Sequence, residues 1–325
     1  MTEGTAVRGT LKRYILSPSY RYDLLISPDA GPRYGEDMGW PLLPLGALGA
    51  SVAGVAVVDS RLTPGELAEL GGVIGASPSR LFVLTIVDPF HQQNEDGPWR
   101  QFMLDQVSAP NVVFLSKYHA TEFTAQLQER AGADRLIALH YPYVASREVQ
   151  APSGRRRRKV IFAGAINRAI YPERALLYDA LQHKPWLRLL VRHLTHPGYP
   201  DVGDPVVHEH IGDRFVRLLA QYRLMFVSGS RCNLEFLKYR ECGYAGSVPV
   251  GHAPASFPQE LRDCILPLDL SNPGPQLWRY LRLPAGELDQ RAARFAQLQR
   301  QLRNPAALNA QLDDFLRPHL ARLAA

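Results

Sequence analysis

The sequence is poor in cysteine, in lysine and in long apolar runs, and each shortage removes a class of protein. Three cysteines in 325 residues are too few for a disulfide framework. Cys232, Cys242 and Cys264 form no CxxC pair, so no structural zinc is expected and the thiols read as small buried side chains. The opening stretch MTEGTAVRGTLKR has no apolar core of the kind a signal peptide needs, which points to the cytoplasm. Residues 40–58 are uncharged over about the length of a membrane span, but they hold Pro41, Pro44 and several glycines. They read as a buried helix followed by a strand ending at Asp59, not as a transmembrane segment. Any membrane contact would then be peripheral. Of 37 basic residues only 5 are lysine, so the net charge of +6 rests on arginine. Beside many Ala, Leu, Gly and Pro, this reads as compositional bias as much as a basic surface.

What is present is ordinary globular protein, 46% apolar and 21% charged, of a length that predicts two domains. Short apolar runs at residues 23–26, 52–58, 81–87, 112–115 and 136–139 alternate with helical stretches, one opening at Pro64 and one over 119–130. The run at 81–87, LFVLTIV, is continuously apolar, as a strand buried on both faces should be. Strands spaced by helices predict parallel βαβ units. Residues 144–158 read as a solvated linker, and the arginines at 155–158 raise phosphate or nucleic-acid binding as the alternative.

A second α/β unit restarts after the linker. Strands are expected at 160–162, 186–191, 224–227, 248–250 and 265–268, with helices from Pro172, over 214–222 and from Pro275. A further helix over 234–245 is expected to be capped by Asn233, with Glu235 in its first turn, and to end at Gly246. The tail is helical, with a break at Asn304-Pro305. The expected domains are 1–143 and 159–285, with 286–325 as closing helices.

Three strand ends of the second unit carry candidate chemistry. Gly164 follows the first strand, with Arg168 close behind to meet a diphosphate. Ser228, Ser230 and Arg231 form a loop that opens a helix, a plausible phosphate cradle. Lys238-Tyr-Arg-Glu241 then leads through Gly246 into Val248-Pro249-Val250. This last run, with FAGAINRAIYPER at 162–174 and ILPLD at 265–269, resembles the donor-site signature of group-1-like glycosyltransferases of the GT-B class. The resemblance covers residues 160–280. It implies a fold of two Rossmann-like domains facing a cleft, with C-terminal helices packing across.

The resemblance further implies that Glu241 binds the ribose hydroxyls of a nucleotide-sugar donor and that Gly164 lies near its diphosphate. Arg231 or Lys238 would neutralise the charge. UDP-sugar is the foremost donor, with no metal and no resident cofactor. A second Glu common in retaining members is replaced by Asn233, which leaves the stereochemistry open. The base of an inverting member would come from Asp88 or His91, after the most buried strand, with Asp29 as a weaker candidate. His208 and His210 alternate without further ligands for a metal. The implied reaction is sugar transfer to a hydroxyl of a glycan, lipid-linked or small-molecule acceptor, as in polysaccharide biosynthesis. Glycosylation of a hydroxylated DNA base, nucleotide-sugar epimerisation and non-catalytic sugar binding are the alternatives.

Overall fold

The computed structural model describes residues 12–16, 32–48, 54–60, 62–86, 97–118, 121–150, 156–196, 211–229 and 233–325. They fall into two compact units. One holds the described residues up to Pro142 together with Pro305–Ala325, and the other holds Tyr143–Asn304.

In the first unit, β1 (Lys12–Leu16), β2 (Leu42–Pro44), β3 (Val55–Val58), β4 (Phe82–Ile86), β5 (Val112–Ser116) and β6 (Leu136–Ala138) form a parallel sheet. Its order is β2-β1-β3-β4-β5-β6. The side chains of β3, β4 and β5 are buried along their whole length, which is what continuous apolar runs dictate when helices cover both faces. Among the described residues before Pro142, the helices are α1 (Pro32–Asp37), α2 (Pro64–Ala76), α3 (Pro98–Asp105) and α4 (Glu122–Ala131). Helix α2 begins where Pro64 implies, and Thr63 and Glu66 close a reciprocal cap there at 3.3 and 2.9 Å.

The helix expected within residues 40–58 is not seen among its described residues. Pro41 and Pro44 cannot donate to a helical ladder, and the chain forms the short strand β2 and one 3-10 turn, Leu45–Ala47. The strand expected at 23–26 lies outside the described residues.

The second unit contains β7 (Arg157–Ala163), α5 (Pro172–His183), β8 (Val191–Leu194), α6 (Gly212–Leu219), β9 (Tyr222–Val227), α7 (Leu237–Ala245) and β10 (Val248–Gly251). Then come α8 (Gln259–Arg262), α9 (Pro273–Leu281) and α10 (Ala285–Leu302). Its sheet, also parallel, has the order β10-β9-β7-β8. Helix α10 packs Leu288, Ala292, Phe295 and Leu298 into the cores of this unit. The last helix, α11 (Pro305–Ala324), belongs to the first unit, where His319 Nε2 meets the Asp134 carbonyl at 2.9 Å.

Several expected boundaries move. Residues 185–189 form a 3-10 turn, because Pro185 suits a helical start and Leu187 and Leu190 bury one face; the strand follows at 191–194. The strand expected at 265–268 is reduced to a single bridge between Val250 and Leu266. Helix α7 starts at Leu237, not at 234, and Asn233 takes a left-handed φ of 56° in place of a cap. Glu235 does not serve the helix dipole. It is buried in an ion pair with Arg303. Gly246 ends α7 as expected, at φ 58°.

The arginine run is the larger correction. Strand β7 begins at Arg157, and Arg156 is 6% exposed instead of solvated. Its guanidinium donates to the carbonyls of Ala220, Ala245 and Gly246 at 2.9, 2.7 and 2.7 Å, closing the ends of α6 and α7. Arg156→Met keeps the apolar stem and removes all three bonds. It is expected to cost about 2–4 kcal/mol, read from the urea midpoint; no change would mean that water replaces the guanidinium freely.

Candidate functional site

The chain of the second unit enters its sheet at β7, steps to β8 on one side, and then crosses to β9 and β10 on the other. The strand order therefore reverses between β7 and β9, and open parallel sheets present a crevice at the carboxyl ends of such a pair. Gly164 leaves β7 at that edge, Thr195 and His196 leave β8, Ser228 and Gly229 leave β9, and His252 leaves β10.

Arg174 occupies the crevice. It lies in the first turn of α5, where side chains lean back toward the helix start. Its Nε donates to Ser228 Oγ at 2.9 Å and its Nη1 to the Ala165 carbonyl at 3.4 Å, while its guanidinium stacks 4.1 Å from the Tyr171 ring centre. Gly164 has φ 117°, and a Cβ there would stand 2.7 Å from Arg174 Nη1. The backbone conformation requires glycine there, and any Cβ would also have to push the guanidinium aside.

Glu173, the neighbouring residue, accepts from Gly229 N–H at 2.9 Å and faces His252 Nδ1 at 3.3 Å. His252 is positioned by Gly251, at φ 131°, and its backbone donates to the Val227 carbonyl at 3.2 Å. On α7, Lys238 Nζ and Glu241 Oε2 pair at 2.8 Å, with Lys238 4.0 Å from the Phe215 ring centre. Recesses of about 630 and 530 Å³ flank the crevice, one bordered by Glu173 and His252, the other by Gly164 and His196. Volumes of this order hold small-molecule ligands. Among the described residues, no group of three or more His, Cys, Asp or Glu could hold a metal ion.

The structure therefore gathers Gly164 and Ser228 around Arg174, and pairs Lys238 with Glu241. Arg168 goes elsewhere: it is ion-paired with Asp179 on the exposed side of α5. Asp88, His91, Ser230 and Arg231 lie outside the described residues, as do Asp29, His208 and His210. Sequence reasoning missed Arg174, Glu173 and His196. The signal was available in Pro172-Glu173-Arg174, a charged pair in the first helical turn after a Gly-containing strand end.

Burial pushes the His193 and His196 imidazoles below their usual 6.5, and the charges of Lys238 and Arg174 press His196 further down. In the unfolded chain both take up protons near pH 6.5. The stability that they contribute is complete above that pH and is lost as the pH falls, because the unfolded state then binds more protons. The urea midpoint should drop between about pH 7.5 and 5.5, and His196→Gln should remove part of the drop. An unchanged slope in the variant would contradict a buried neutral His196.

Solved structures match this fold. Anabaena HepE, solved in complex with UDP-glucose, is 12% identical and aligns over 95% of this chain and 100% of its own, with a TM-score of 0.54. The α,α-trehalose 6-phosphate synthase of Burkholderia multivorans is 15% identical over 83% of this chain and 71% of its own, at 0.53. The OtsA apo structure follows at 13% identity, 80% and 72% coverage, and 0.50. The chain has the GT-B fold. Identities this low establish the fold and not the chemistry. No protein-family model and no curated protein matches the sequence. In this GT-B chain, no helix among the described residues is long and apolar enough to cross a membrane.

Proposed function

We propose that this chain is a glycosyltransferase that takes a sugar from a nucleoside-diphosphate donor and passes it to an acceptor hydroxyl. The observation that carries this reading is Arg174, a buried guanidinium held across the switch point of the second sheet between Gly164 and Ser228. A guanidinium is the side chain best matched to phosphate oxygens, and charge developing on a departing diphosphate needs such a partner fixed in advance. Gly164 lets the phosphates approach the backbone, and the Ser228 hydroxyl adds a donor. Glu241 accepts from the two ribose hydroxyls, with Lys238 beside it as a second cation.

UDP is the proposed nucleotide, supported by the UDP-glucose bound to the structurally similar HepE. The acceptor, a glycan, lipid-linked or small-molecule hydroxyl, is assigned to the first unit. Asp88 and His91, which follow β4 in the chain, are the proposed candidates for the base that takes its proton.

The test is thermal denaturation with UDP, GDP, CMP and dTDP in turn. A nucleotide at about a hundredfold excess over its Kd should raise the melting point by roughly 5–10 °C. UDP should give the largest rise. Glu241→Gln should lose that rise while melting like the parent without ligand. A panel with no response to any nucleotide would remove the donor assignment.

A further inference from the structure

We infer that the amino-terminal edge of the second sheet, opposite the donor crevice, is a docking face for an anionic lipid surface. Two of the four tryptophans, Trp40 and Trp99, are buried. The other two stand in the open, Trp186 at 51% exposure and Trp278 at 55%, and Leu189 reaches 71%. They are neighbours. Trp186 lies against Gly274 so closely that no Cβ fits there, and Trp278 stands one helical turn further along the same face of α9.

Cations ring these side chains. Arg282 sits 5.7 Å from the Trp278 ring centre. Leu281 and Leu283, on either side of it, share a small recess with Arg158 and Lys159 at the start of β7. Lys159 Nζ returns to the Arg188 carbonyl at 2.9 Å, and Arg188 lies between Trp186 and Leu189 on the 185–189 turn, with Lys184 just before it. The face closes on itself. Asp289, a carboxylate near this edge, is held by Arg223 at 3.1 Å.

Exposed tryptophan and leucine set among lysine and arginine match the membrane interface. Aromatic and aliphatic groups enter the headgroup layer there, and basic residues meet anionic lipids. A nucleic acid would use the cations but would find nothing to do with Leu189. The face also absorbs Arg158 and Lys159, which the donor site leaves unused. Lys159 and Arg188 also border the recess that reaches Gly164 and His196, but Trp186, Leu189, Trp278 and Arg282 do not. A surface docked on those four leaves the crevice open, and the inference stands independently of the proposed transfer reaction.

The test is co-sedimentation of the full chain with phosphatidylcholine vesicles, with vesicles in which phosphatidylglycerol replaces a third of the lipid, and, in parallel, retention on duplex DNA at the same salt. The chain should pellet only with the anionic vesicles. Arg188→Glu and Arg282→Glu should each weaken that binding by roughly tenfold or more, since one basic residue near such a surface is worth about fivefold. Leu189→Glu should weaken it too. The urea midpoints should stay as in the parent, because all three side chains point to solvent. Nucleotide binding should also stay as in the parent for Leu189→Glu and Arg282→Glu, whereas Arg188 borders the recess that reaches Gly164 and His196 and is not held to that control. Headgroup-level brominated lipid should quench the fluorescence of the parent more than that of a Trp186→Phe, Trp278→Phe chain. Failure to pellet with anionic vesicles, equal binding by the three variants, or duplex DNA retention that the variants abolish would overturn the inference.

Discussion

Arg174→Leu is expected to weaken nucleoside-diphosphate binding by about thirtyfold or more, while affinity for the nucleoside without phosphates changes by less than about threefold. Removing one partner of a desolvated charge-assisted contact costs about 2–5 kcal/mol, and Arg174 is the buried cation at the switch point. Leucine keeps an apolar stem at this buried position and gives up the guanidinium's stack on Tyr171, and the chain should still fold. Calorimetry with the diphosphate and the nucleoside separates the two affinities. Equal losses on both would mean that the substitution damaged the site's shape. An unchanged diphosphate affinity would return the anion to Arg168 or to Arg231. Arg168→Ala is the matching control, because its partner is Asp179 on the exposed side of α5, and it should leave binding near that of the parent.

Gly251→Ala is expected to destabilise the second unit by about 3–5 kcal/mol, from strained backbone plus overpacking. Gly251 has φ 131°, a Cβ there would overlap the Val227 carbonyl oxygen, and Phe226 lies 3.1 Å away on the other side. None of these atoms can yield cheaply, because Val227 and Gly251 are partners in the β9–β10 register. The residue also donates to the Leu266 carbonyl at 2.8 Å and places His252 beside Glu173. Gly286→Ala is the counter-case. Nothing lies within 4 Å of a Cβ there and the position is helical, so it should be neutral or add up to about 1 kcal/mol. Urea unfolding reads both. A Gly251→Ala chain as stable as the parent would contradict the register.

The parallel α/β plan was legible because a few residue patterns admit one reading. The run LFVLTIV has no polar face to expose, so it had to become a strand covered on both sides, and β4 is that strand. Gly246 follows a helical run and precedes Val-Pro-Val, and it ends α7. What the chain hides are partners far away in sequence. Arg156 looks like one of four solvated arginines until the carbonyls of Ala220 and Ala245 are brought to it. Glu235 looks like a first-turn helix acid until Arg303 arrives to bury it. Burial pushes the Glu235 carboxyl upward and Arg303 pulls it back, a balance invisible to local spacing. Strand β2 was missed because three residues ending in proline, two of them exposed at the sheet edge, carry no periodic signal. For the site, Gly164, Ser228, Lys238 and Glu241 could be placed from strand ends and family resemblance. The choice between Arg168 and Arg174 could not. It depends on which arginine follows the start of α5 and therefore leans toward the strand edge.

The most direct measurement is calorimetric titration of UDP into the parent chain, Arg174→Leu and Glu241→Gln. If the switch-point crevice of the second unit holds the donor, the parent binds with a single site, and both variants lose most of that affinity while still unfolding in a cooperative urea transition, with Glu241→Gln at the parent's midpoint and Arg174→Leu somewhat below it. If all three bind UDP alike, or if the parent binds no nucleoside diphosphate, the donor site is not where Arg174, Gly164 and Ser228 meet.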